Sequence, residues 1–251
     1  MSPGPHLPNA GCSTPRPPRA GGSSAAALRQ LLAERFPASV RASDDTLATG
    51  ITPIDEISGG LPRPGLTELV CSAPSCGSQL LLGQLLLVTR EQSLRVALVD
   101  RHDSFDPGSW PPFLLHHLLW VRPRHSEEAL AAADLLARDA NLGLVILDLH
   151  HAPAPELRRL KSTAWYRLQR AIEPTRLAGL VITPFALVPS ARLRLELTKP
   201  HPLSVQHQPR PQLTSTLAPE FLRQRTLLAH ACSQRGDIRE VGAELARSSC
   251  A

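Results

Sequence analysis

Residues 66–82, Leu-Thr-Glu-Leu-Val-Cys-Ser-Ala-Pro-Ser-Cys-Gly-Ser-Gln-Leu-Leu-Leu, join a short apolar strand to an apolar helix through a turn of small residues. A phosphate-binding loop occupies this kind of junction, and its form G-x-x-x-x-G-K-[ST] gives each residue type a task. Backbone N–H groups cradle phosphates, the Lys reaches the β/γ oxygens, and the hydroxyl holds Mg²⁺. Here the eight positions are Ser72, Ala73, Pro74, Ser75, Cys76, Gly77, Ser78 and Gln79. The second glycine is present as Gly77. Ser72 replaces the first glycine, Ser78 the Lys and Gln79 the Ser/Thr. Only Lys161 and Lys199 are lysines, so no shift of the motif restores a loop Lys.

Working outward, 251 residues with 42% apolar content suffice for one α/β core with tails. The net charge of +5 suits nucleic acid or an acidic protein partner. Cys12, Cys71, Cys76, Cys232 and Cys250 form no C-x-x-C pair and are odd in number, which argues against a disulfide or zinc framework and for a reducing compartment. Pro3, Pro5 and Pro8 interrupt the place of a secretory h-region, and no apolar run reaches membrane-spanning length, so no membrane association is expected.

Residues 1–23 hold six prolines and no acid, and are expected to be a disordered leader. Residues 24–44 are expected to form an amphipathic helix and linker, with Leu28, Leu31, Leu32 and Phe36 on one face and a stop at Pro37. Turn-rich residues 47–65 lead into the loop strand. Buried strands are predicted at 96–100, 118–121, 142–149 and 177–183, and a half-exposed one at 191–198, where Leu193, Leu195 and Leu197 alternate with charges. Helices are predicted over 80–88, over 126–139 with Ser126 as N-cap, and over 155–171. The core should therefore span 45–198. The tail 199–251 is broken by prolines and expected to be flexible or ordered by a partner, with one short helix at 219–231.

The run Thr49-Gly50, Ile54-Asp55, Gly59-Gly60-Leu61-Pro62, Gly65 and Glu68 before the loop resembles the opening of the RecA/RadA recombinase core. The segment Asp100–Pro107 resembles the D-x-E-x-x-x-D-P stretch of RecA, with His102 at the position of the water-activating glutamate. Asp148 ends an apolar strand in the manner of a Walker B carboxylate. The paired histidines at 116–117 and 150–151 match no metal spacing.

Within that superfamily, the opening Leu28-Arg29 through Arg35-Phe36-Pro37, the segment 59–69, a loop without its Lys and the strand 191–197 together resemble the ImuA family of bacterial mutagenesis cassettes. The resemblance implies a RecA-like three-layer α/β/α core. It also implies a cytoplasmic, non-catalytic accessory factor of the SOS DNA-damage response, associated with the nucleoid during damage and scaffolding translesion synthesis. Its implied partners are an ImuB-like Y-family polymerase homologue, an error-prone replicative-type polymerase subunit and the RecA recombinase, with DNA contact indirect. Leu28, Leu31, Leu32 and Phe36 are the expected partner face. No metal or cofactor is expected, and ATP·Mg²⁺ should bind weakly at most. The alternatives are an ATPase using Arg63 or Arg101 in place of the Lys, and a DNA-binding recombination mediator, for which no ordered basic loop is legible between Pro184 and Ala191.

Overall fold

A computed structural model describes residues 45–205 and 207–224. The leading helix with Leu28, Leu31, Leu32 and Phe36, and the chain after Gln224, lie outside the described residues. Two short strands, β1 (Asp45–Leu47) and β2 (Leu61–Arg63), pair antiparallel around helix α1 (Thr52–Ser58). The sequence pattern noted above has a local cause here. The Asp55 carboxylate accepts hydrogen bonds from Thr49 N–H, Thr49 Oγ1 and Gly50 N–H, each at 2.8 Å, which ties the turn to the helix it starts. Gly60 adopts φ 111°, and a Cβ there would lie 2.2 Å from the Leu47 carbonyl oxygen, so only glycine fits.

The core is a seven-stranded sheet. Its strands are β3 (Gly65–Cys71), β4 (Arg95–Asp100), β5 (Leu118–Val121), β6 (Leu142–Asp148), β7 (Ala178–Thr183), β8 (Leu193–Leu197) and β9 (Glu220–Gln224), in the spatial order β5-β4-β6-β7-β3-β8-β9. All neighbours are parallel except β8 and β9. The continuous apolar strands follow from helices covering both faces. Helix α2 (Ser78–Glu91) buries Leu81, Leu82, Leu85 and Leu86 on one face, with α3 (Pro112–Leu115) beside it. On the other face lie α4 (Ser126–Leu136), α5 (Ala154–Arg159) and α6 (Ser162–Ile172), contributing Leu130, Leu157, Trp165 and Leu168.

Three expectations are corrected. The helix expected over 155–171 is two, because Leu160 is extended (ψ 123°) and packs with Leu157 into the core; neither Leu160 nor Lys161 is a helix breaker, so packing overrides propensity. Ser126 is not the N-cap of α4. His125 holds that position, and Ser126 N–H donates to Glu156 on α5, which supplies the acceptor a capping hydroxyl would have given. The core does not stop at 198. Residues 199–205 and 207–224 include a 3₁₀ turn (Leu203–Val205), helix α7 (Arg210–Ser215) and β9, which pairs with β8 where a helix from 219 was expected. An uncovered β8 edge would leave a row of backbone groups unpaired, and β9 satisfies it.

Glu68, in the middle of β3, is fully buried. It accepts from Thr183 Oγ1 (3.2 Å), Leu187 N–H, Val188 N–H (2.9 Å) and Arg194 Nε–H, so one carboxylate binds the β7–β8 connection and β8 to β3. Removing one member of such a pair strands a buried charge, at a cost of about 3–5 kcal/mol. Arg194→Met should lower unfolding free energy by about 3 kcal/mol in urea denaturation, and a Glu68→Gln/Arg194→Met double variant should lose less than the sum of the singles. A loss below about 1 kcal/mol for Arg194→Met contradicts this role.

Candidate functional site

In open parallel sheets the crevice at the C-terminal strand ends, where successive connections leave in opposite directions, is where ligands bind. Here β4 leads outward to β5 while its neighbour β6 leads the opposite way to β7, and their last residues, Asp100 and Asp148, are register partners. The loop after β3 opens on the same edge. Gly77 caps α2 with φ 95°, and Ser75 adopts φ 54°, so the turn uses the left-handed backbone that its glycine permits. Ser72, Pro74 and Ser75 are exposed, Ala73, Gly77 and Gln79 half-buried, and Cys76 and Ser78 buried.

The Cys71 and Cys76 thiols lie at the two ends of the loop, and both are reduced. Donation from the Cys71 thiol lowers Cys76 to a pKa of about 7 against the opposing effect of burial, with the Ser78 N–H assisting. The same bond, with burial, pushes Cys71 up.

Asp100 accepts from His102 N–H (3.3 Å), Ser104 N–H (3.1 Å) and Phe105 N–H (2.9 Å), which folds the turn after β4 around its carboxylate. Asp148 accepts from His150 N–H at 2.9 Å. The Ser104 hydroxyl lies 3.3 Å from both carboxylates, yet it has one proton to donate. Burial raises Asp148 to a pKa of about 6, and the neighbouring Asp100 adds to the shift. A proton on Asp148 resolves the conflict, since Asp148 can then donate to Ser104 Oγ while Ser104 donates to Asp100. Sequence reasoning placed Asp148 but missed Ser104, which carries no motif signal.

His102 stands exposed on the turn after Asp100. Partial burial, Arg101 and His151 hold its ring below the usual histidine pKa. Its backbone, rather than its ring, joins the carboxylate pair. Neither alternative cation serves the loop. Arg101 is committed to Glu156 at 3.2 Å. Arg63 precedes β3, a strand about 20 Å long whose far end leads into the loop. Among the described residues no group of three His, Cys, Asp or Glu could hold a metal ion, and no helix is long and apolar enough to cross a membrane.

The chain itself lies over the loop. His201 N–H donates to Ser75 O at 2.9 Å, and the His201 ring nitrogens lie 3.2 Å from Ser75 O and 3.2 Å from Thr216 Oγ1. Leu217 is buried in the α2-side core, and a Cβ on Gly77 would meet its Cδ2 at 2.4 Å. Helix α7 packs on α2, and its Arg210 guanidinium stacks 3.8 Å from the ring of Trp110, which itself packs on Gly83 of α2. Residues 199–205 and 207–218 are thus a strap fixed at several points. It is not legible in the sequence, because the contacts that hold it to the loop and to Trp110 join positions a hundred or more residues apart.

No protein-family model matches the chain, and no curated protein matches it at a significant level.

Asp148 titrates from 3.8 when unfolded to about 6 when folded, so the folded state binds the extra proton between those values. The stability contributed by this group is therefore fully present below about pH 3.8 and is lost as pH rises through about 6, by at most about 3 kcal/mol. Asp148→Asn donates to Ser104 permanently. It should flatten that slope and raise the melting temperature at pH 7.5; a lower melting temperature at pH 7.5 with the slope unchanged would show that Asp148 is ionised and well satisfied.

Proposed function

We propose that this chain is a RecA-like accessory protein of the DNA-damage response that works by binding other proteins, without nucleotide chemistry. The observation carrying the proposal is the strap over the loop, His201 on Ser75 and Leu217 against Gly77. A seven-stranded, mostly parallel sheet with helices on both faces and a glycine-capped loop at its C-terminal edge supports the RecA-like reading of the fold. The resemblance to the ImuA family supplies the role: scaffolding a translesion polymerase assembly through an ImuB-like Y-family homologue, an error-prone replicative-type subunit and the RecA filament.

The residues present do not fit ATP·Mg²⁺. Phosphoryl transfer is catalysed by positioned charge, and single charge-stabilising groups contribute about 3 kcal/mol or more each. At the Lys and Ser/Thr positions Ser78 and Gln79 bring neither the cation nor the hydroxyl ligand, Pro74 has no N–H to offer, and Arg101 after β4 is paired with Glu156. Asp148, the Walker B counterpart, favours a proton more than an ordinary carboxylate does. The ATPase alternative therefore keeps Gly77 and Asp148 but lacks the loop cation and the hydroxyl ligand.

Partner contact falls to the leading helix with Leu28, Leu31, Leu32 and Phe36 and to the chain after Gln224. A truncation meant to remove the tail while sparing the core has to begin after residue 224, since cutting at 199 deletes β9 and the strap. The purified full chain should leave ATP at the background hydrolysis rate with or without single-stranded DNA, and should co-elute with an ImuB-like polymerase homologue equally in the presence and absence of ATP. DNA-stimulated turnover lost in Asp148→Ala would falsify the proposal.

A further inference from the structure

The opposite edge of the sheet holds a second, independent feature. Between the end of α2, the starts of β4 and β5 and the turn before β6 lies a cleft of about 500 Å³, within the size range of small-ligand sites. Arg90 enters it from α2, Arg95 from β4, His116 and His117 from the turn before β5, and Asn141 and Asp139 from the turn before β6. Arg90 and Arg95 are exposed, and neither makes a hydrogen bond or salt bridge with a described residue. His117 Nε2 lies 3.0 Å from Thr89 Oγ1, whose own proton goes to Leu85 O at 2.6 Å, so Nε2–H donates to the threonine. Its Nδ1 is closed off from solvent and has no partner among the described residues. The one carboxylate, Asp139, accepts at Oδ1 from Asn141 N–H and Nδ2–H, both at 2.9 Å, and after those two bonds the charge of Arg95 also holds its pKa below the usual value.

We propose that this cleft binds a compact tetrahedral oxyanion, a phosphate group. Donors converge on it from three directions around the void. A tetrahedral anion presents acceptors on every side, whereas a carboxylate presents two in one plane. Guanidinium groups with their N–H donors unused are the usual bidentate partners of phosphate, and here two arginines face a single carboxylate.

Burial and then Arg90 hold His117 below the usual histidine pKa, so the free protein carries it neutral at pH 7. The charged and titratable groups facing it are Arg90 on α2, Arg95 on β4, the adjacent His116, and Asp139 before β6. A bound dianion adds negative charge to a set whose one carboxylate, Asp139, faces two arginines and two histidines, so proton uptake by His117 accompanies binding. Affinity rises as pH falls through the histidine range.

Calorimetry on the full chain at fixed ionic strength tests this with two probes, inorganic pyrophosphate and sulfate, the latter because it does not itself titrate between pH 6 and 8. Both are expected to bind saturably. Arg90→Gln/Arg95→Gln, at exposed positions that leave the core intact, should weaken binding by at least about tenfold. Sulfate should bind more tightly at pH 6 than at pH 8, and His117→Asn should remove that difference. A 5′-phosphorylated oligonucleotide binding more tightly than its 5′-hydroxyl counterpart assigns the phosphate to a nucleic-acid end. Saturable binding of pyrophosphate and sulfate with no binding of either oligonucleotide assigns it to a free phosphate compound, and equal binding of both oligonucleotides, which would make the internal phosphodiesters the ligand, overturns the proposal. Unchanged affinity in the double arginine variant, which would place the anion at the Gly77 end of α2, overturns the proposal, as does a lack of saturable binding.

Discussion

The buried carboxylate of Glu68 is the constraint on which the arrangement of this chain rests. A charge placed mid-strand in an apolar sheet is tolerable only if donors surround it, and here they come from a single stretch of chain: Thr183, the amides of Leu187 and Val188, and Arg194. Satisfying Glu68 therefore fixes where the β7–β8 connection crosses and seats β8 beside β3. Once β8 is there, its outer edge accepts β9, and because β8 runs parallel to β3 the connection after it leaves from the edge where the loop opens, so the long segment before β9 lies against that loop.

Two ends of the same sheet then differ in kind. At the C-terminal edge, donors and space are used internally: the loop by His201 and Leu217, Arg101 by Glu156, Asp100 by three amides, and Asp148 by its share in Ser104. Burying two adjoining carboxylates is costly unless one is protonated, and Asp148 moves in that direction. At the N-terminal edge the Arg90 and Arg95 side chains form no hydrogen bond or salt bridge with a described residue and line the larger cleft, while the smaller one, about 250 Å³, lies between Cys76 and the strap.

Sequence made the interior strands legible because continuous apolar runs between turn residues have few other solutions, and β3, β4, β6 and β7 lie within two residues of where periodicity put them. The lost loop residues were equally plain, since an absent Lys can be counted. What escaped was whatever depended on distant partners. Residues 220–224 read as helix because their apolar spacing is ambiguous over five residues, and only the open edge of β8 decides for strand. The strap was hidden by its prolines, which signalled disorder by composition while in fact starting a 3₁₀ turn at 203 and α7 at 210. Ser104 and Glu156 were invisible for the same reason: their roles exist only after folding.

The central claim, that the loop is closed by the chain and does not take nucleotide, is tested most directly by hydrogen–deuterium exchange of residues 72–79 with and without millimolar ATP·Mg²⁺. The account predicts identical exchange in both conditions, with the strap at 199–218 equally unaffected. Saturable protection of the 72–79 amides, accompanied by faster exchange in the strap as it is displaced, would contradict it.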